Sequence, residues 1–316
     1  MSPAARGHLA MLLFSALVAG SFSLGAIVAN DVSPTALNAL RFALAAIVLG
    51  AAAFATGGLS RAAFVAPWRY VILGGLFATY FVLMFEGLKT APPVSAAAVF
   101  TLTPVMTAVF GWLLLSQITT KRMALALVIG GAGALWVIFR ADLAALRAFE
   151  IGQGEVIYFW GCIAHAIFTP MVRKLNRGEP ALVFTFGTMV AGCIGLCVFG
   201  WSDLAAIDWS GLPVMVWVTL AYLAVFASAV TFVLLQFASL RLPSAKVMAY
   251  TYLTPSWVIL WEIGLGNGTP PALVLGGIAL TAVALWLLLR DDGDRAATPR
   301  APVTARRPKT ARTPQD

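Results

Sequence analysis

Apolar residues in this chain come in long runs, and polar residues gather in short breaks between them. Ten runs stand out, near residues 8–29, 34–56, 68–90, 93–114, 120–140, 152–173, 180–200, 212–237, 244–265 and 270–290. A helix needs about 20 apolar residues to cross the hydrocarbon core of a bilayer, and every run meets that length to within its edges. The pattern predicts an all-α integral membrane protein with ten transmembrane helices. The first run also has the outline of a signal peptide, with Arg6 ahead of it and Val28-Ala29 at a cleavage-like edge. Its apolar stretch is longer than the roughly 7–15 residues of such a segment, and losing it would leave an odd number of spans, so it is read as a span.

The interruptions inside the runs recur. Leu102-Thr103-Pro104 returns as Leu253-Thr254-Pro255, 151 residues later, and Pro92 returns at the same distance as Pro243. Gly130-Gly131 in the fifth run is echoed by Gly276-Gly277 in the tenth. Each Leu-Thr-Pro lies near the centre of its run, where a proline removes a backbone hydrogen bond and bends the helix. In a bilayer such a defect is tolerated only against protein or a watery cavity. Two of them at matching places in two halves of one chain point to the substrate site of a transporter; kinks that serve packing alone are the other reading. Five spans is an odd number, so the second copy enters from the opposite face. The expected organisation is two inverted five-helix repeats, 1–145 and 150–290, followed by a disordered tail, 291–316.

Composition agrees with this environment. Hydrophobic residues make up 60% of the 316 and charged residues 11%, against about 25% charged in a soluble domain. The net charge of +8 would suggest nucleic acid in a soluble chain, but here lysine and arginine flank apolar spans and act as topology signals. With the N-terminus inside, 17 of the 21 fall in inside segments, against Lys89, Arg140 and Arg147 outside and Arg41 within a span. Both termini are therefore expected in the cytoplasm of a bacterium, with the spans in its inner membrane. Cys162, Cys193 and Cys197 all lie in apolar runs and read as small packing residues rather than a disulfide or metal site.

Arg41-Phe42, Gly87-Leu88-Lys89-Thr90, Ser95-Ala96-Ala97-Ala98 with Leu102-Thr103-Pro104-Val105, and Ser244-Ala245 with Leu253-Thr254-Pro255 together resemble the EamA-type permeases of the drug/metabolite transporter superfamily, over about residues 7–290. The resemblance implies a secondary carrier, often exporting amino acids or related metabolites, with a central cavity lined by the first, third, fourth, sixth, eighth and ninth spans. The family pattern usually ends the fourth and ninth spans with a glutamate; the corresponding positions here are Gln117 and Gly268.

Such a cavity has candidates near mid-depth: Ser21, Tyr80, Thr101, Thr103 and Pro104 in the first half, and Tyr158, His165, Tyr252, Thr254, Pro255 and Trp257 in the second. Hydroxyls and rings beside prolines offer hydrogen bonds to an ammonium or carboxylate and faces to an apolar body. The same residue types also pack helix interfaces and anchor at headgroups. Arg41 and Glu86 are costly within spans; they are expected either to pair as an outer gate or to form a fixed structural pair. His165 is placed for a coupling proton or for a plain backbone hydrogen bond. The glycine pairs suggest close helix contact, within the chain or across a homodimer. With two histidines, His8 and His165, and no nucleophile elbow or phosphate loop, the chain reads as neither an enzyme nor an ATP-driven pump, and no cofactor is called for. The expected partners are a small-molecule solute and the lipid bilayer. An exporter of small aromatic or cationic drugs, and a receptor or scaffold of the same fold, are the alternatives.

Overall fold

A computed structural model describes residues 3–58, 63, 65–139, 142, 144, 151–269 and 271–297, helical throughout its elements and without a strand among the described residues. In chain order the helices are α1 Pro3–Val28, α2 Pro34–Ala55, α3 Trp68–Leu88, α4 Pro93–Phe100, α5 Thr103–Leu115, α6 Lys121–Ile138, α7 Gln153–Leu175 and α8 Ala181–Phe199. They continue as α9 Trp201–Ala206, α10 Val214–Ala224, α11 Thr231–Ser239, α12 Ser244–Ala249, α13 Thr254–Gly264 and α14 Val274–Ala297. A π-helical turn, Val225–Val230, joins α10 to α11, and a 3-10 turn, Tyr250–Leu253, joins α12 to α13.

Among the described residues, eight helical segments are long and apolar enough to cross a membrane, counting Pro93–Leu115 and Val214–Ser239 as single spans. The ninth run is broken into α12 and α13, and the tenth contributes the shorter apolar stretch Val274–Leu287 of α14. α14 runs on to Ala297, past Arg290, where the tail was expected to begin. The expected boundary at 145–150 and the tail beyond Ala297 lie outside the described residues.

The two halves pack as exchanged copies of one another. α3 lies along α7 and α1 along α11; α5 packs on α7 and α13 on α1; α2 packs on α8, and α6 on α14. The broken spans cross-pair, α4 with α13 and α5 with α12. First half against second half is the pairing of two antiparallel segments.

Small residues permit these approaches. A Cβ on Gly74 would lie 2.5 Å from the backbone nitrogen of Gly192 in α8, and one on Gly87 would lie 2.6 Å from the Gly154 carbonyl of α7. Of the glycine pairs of the sequence only Gly277 makes a helix-to-helix backbone contact among the described residues, and it meets Gly133, outside the other pair, where α6 approaches α14. Large apolar side chains on the outer faces, such as Ile47, Val71, Trp112, Val128, Val198 and Trp286, stay exposed, as expected of a surface solvated by lipid.

Candidate functional site

The two Leu-Thr-Pro segments meet inside the molecule. Pro104 falls in the first turn of α5 and Pro255 in the first turn of α13, where the missing N–H has no partner to lose. Each proline therefore starts a new half-helix rather than kinking a continuous one. Pro104 has no N–H to give the Phe100 carbonyl, and the Thr103 hydroxyl donates to that oxygen at 2.5 Å. Thr101 donates to Ala98 O at 2.6 Å, and Thr251 donates to Met248 O at 2.8 Å. The Oγ1 atoms of Thr103 and Thr251 lie 3.4 Å apart, both side chains fully buried. The breaks of the two copies thus face each other.

Beside the breaks lies an aromatic cluster contributed mainly by α3 and α7. Tyr80 and Tyr158 share a hydrogen bond between their hydroxyls at 3.0 Å. The His165 ring stands edge-on to Tyr80 with centroids 4.5 Å apart, and 5.3 and 5.4 Å from Phe77 and Phe100. Phe22 of α1 closes the cluster against Phe100 and Tyr158, both at 5.9 Å. Phe100 links the two features, since its ring belongs to the cluster and its carbonyl to the first break.

Several buried polar atoms here have no hydrogen-bond partner: Ser21 Oγ, His165 Nδ1, Tyr252 Oη and Thr254 Oγ1. In native structures the large majority of buried polar groups are paired. Among the described residues other such atoms lie elsewhere in the helices, on Asn38, Thr219, Thr231 and Gln236 among them, so these four are candidates through their place beside the breaks.

Of the residues expected at the site, Tyr80, Tyr158 and His165 share the aromatic cluster, Thr103 meets Thr251 across the breaks, Pro104, Thr254 and Pro255 start the half-helices, Thr101 bonds its own helix, and Ser21 lies on α1 next in sequence to Phe22. Tyr252 lies in the 3-10 turn with its ring seated on Gly130 of α6, where any Cβ would collide with it. Trp257 is placed differently. It is half-buried, donates from Nε1 to Ser15 Oγ at 3.3 Å, and lines an open 340 Å³ groove with Leu260, Trp261, Gly264 and Leu265.

The expected pairing of Arg41 with Glu86 does not occur. Glu86 is 38% exposed and bonds Lys89 one turn on, at 2.8 Å. Arg41 is fully buried and donates from Nε to Ser228 Oγ at 2.6 Å and from Nη2 to Ala227 O at 2.7 Å. The carboxylate stays at the wet end of α3, and the guanidinium is taken by the π-helical turn, which no run of hydropathy announces.

The sequence also gave no cue to Thr251 at the second break, to Ser228, or to the buried Glu155, which accepts from Ser95 Oγ at 2.7 Å. Their signal was a polar atom in an apolar run, which many structural residues share.

A profile of the EamA-like transporter family matches residues 5–139 and again 153–290. The chain belongs to this family. It is 27% identical over 266 residues to the Bacillus subtilis protein named Uncharacterized transporter YyaM, covering 83% of this chain and 86% of that one. It is 24% identical over 172 residues to the WAT1-related protein At3g02690, chloroplastic, of Arabidopsis thaliana, covering 53% and 41%. A crystal structure 20% identical in sequence superposes with a TM-score of 0.71 over 94% of this chain and 99% of that one, a likeness of fold. This EamA-like protein is thus a membrane transporter of the drug/metabolite kind, a permease rather than an enzyme. Where the family usually carries glutamate after the fourth span, Gln117 Oε1 accepts the Ser244 N–H at 3.1 Å at the start of α12. Gly268 has no side chain to offer and takes a left-handed turn, φ +83°.

Proposed function

We propose that this EamA-like transporter is a ten-span secondary carrier that exports amino acids or similar small zwitterions across a bacterial inner membrane, both termini cytoplasmic, by alternating access. The observation that carries this reading is the meeting of the two broken spans, with Thr103 and Thr251 Oγ1 3.4 Å apart between half-helices that cross-pair α4 with α13 and α5 with α12. Two similar halves of opposite sense exchange conformations about one central site. The aromatic cluster and the unpartnered Ser21, His165 and Thr254 atoms give that site apolar faces and hydrogen-bonding groups together.

Counterflow in proteoliposomes tests it. Vesicles loaded with one amino acid at a time are expected to accumulate labelled solute saturably. Thr103→Val and Tyr252→Phe are each expected to slow exchange severalfold without loss of inserted protein. A correctly inserted parent that exchanges an aromatic cation and no amino acid would replace this reading with a drug exporter, and one that moves neither would favour a receptor or scaffold.

A further inference from the structure

Arg41 is a charge that the reading above leaves unused. A guanidinium carries five N–H donors. Here Nε and Nη2 each give one hydrogen bond to the π-helical turn, Nη1 has no partner, and among the described residues no carboxylate neutralises the group. A buried charge without a counter-ion is costly, and the Phe81 ring, whose centroid lies 3.7 Å from the guanidinium carbon, offsets only part of such a cost. The π turn is part of the device. It sits next to α2 and presents Ala227 O and Ser228 Oγ to Arg41, holding one side of the fork and leaving Nη1 undonated. π-Bulges in helices recur at functional sites for such reasons.

The surroundings say what kind of ligand fits. Phe81 stacks on Phe232 at 5.5 Å and stands edge-on to Tyr80 at 4.5 Å. Tyr80 in turn touches His165 and Tyr158. The guanidinium thus stands at one end of a continuous buried aromatic cluster that reaches the first helix break through Phe100. Planar N–H groups match a carboxylate, and rings match an apolar or aromatic body.

We propose that Arg41 is the docking group for the carboxylate of the solute, so that the protein takes carboxylate-bearing molecules with an apolar or aromatic body and disfavours the corresponding amides and amines. The word solute rests on the carrier reading; the binding itself does not.

The test is equilibrium binding, followed as ligand-induced thermal stabilisation of the purified full-length protein in detergent. The probes are phenylalanine, leucine, their amides, and phenethylamine. The parent is expected to bind the acids at least about tenfold more tightly than the amides, the scale of a lost charge-assisted contact. Arg41→Gln should bring acid and amide to the same level, and Arg41→Lys should keep part of the preference. Equal binding of acid and amide by the parent overturns the proposal even if Arg41→Gln does not fold. So does a folded Arg41→Gln that keeps the acid preference, or a parent that binds no acid of the panel. Acid preference without counterflow would sink the carrier reading and leave the anion site standing; counterflow of neutral solutes without acid preference would do the reverse.

Discussion

A hydroxyl inside a membrane span either finds an acceptor or leaves its oxygen bare, and both outcomes occur in this protein. Thr101, Thr185, Thr188 and Ser239 return their protons to carbonyls three or four residues back, the ordinary fate of such side chains in helices. Tyr80 and Tyr158 bond each other across α3 and α7. Their mutual bond predicts coupling: Tyr158→Phe and Tyr80→Phe should each lower stability by about 1 kcal/mol, and the double variant by less than the sum. Thermal unfolding of the four proteins measures this, and additive losses would show that the hydroxyls are satisfied elsewhere. His165, expected either as a proton carrier or as a backbone-bonded residue, has no hydrogen-bond partner at Nδ1 and sits amid four aromatic rings.

At the scale of elements, backbone contact between helices depends on a few glycines, and their neighbours in sequence are not equivalent. A Cβ on Gly133 would stand 2.6 Å from the Gly277 carbonyl, whereas one on Gly131 would make ordinary contact with Val105 at 3.9 Å. Gly133→Ala is therefore expected to cost about 1–3 kcal/mol, the usual penalty of overpacking, by forcing α6 and α14 apart. Gly131→Ala should be neutral or slightly stabilising, since alanine favours the helix by about 1 kcal/mol over glycine. Unfolding midpoints in detergent distinguish the two. The glycine repeat was visible in the sequence, but which glycine of Gly130-Gly131-Ala132-Gly133 touches α14 depends on helix rotation, which hydropathy does not set: Gly130 seats Tyr252, and Gly133 meets Gly277.

Across the whole molecule, one buried ion pair ties α3 to the segment between α7 and α8. Arg69 Nη2 lies 2.6 Å from Glu179 Oε1, the side chains 1% and 8% exposed, and Arg69 Nη1 also donates to Leu175 O at 2.8 Å. Burial by itself would raise the Glu179 carboxyl, but hydrogen bonds from Arg69 and from backbone N–H groups outweigh it and hold the group below the usual carboxylate range. A depressed carboxyl contributes stability that is present above its unfolded value, about 4.3, and is lost as pH falls through the lower folded value. Glu179→Gln should therefore cost about 3–5 kcal/mol at pH 7 by leaving Arg69 unpaired. The gap to the parent should close as pH falls below about 4. A gap that stays constant from pH 7 to pH 3 would count against the pair. The run lengths, the 151-residue repeat and the paired Leu-Thr-Pro segments were set by the sequence alone, because spans and helix breaks follow from local hydropathy and from the missing proline N–H. Which breaks face each other, that Arg41 is held by a π-helical turn while Glu86 keeps to Lys89, and that Trp257 turns to α1 were decided only by tertiary structure. Those outcomes depend on the rotation and depth of each helix against its neighbours, and nearly uniform apolar runs carry little record of either.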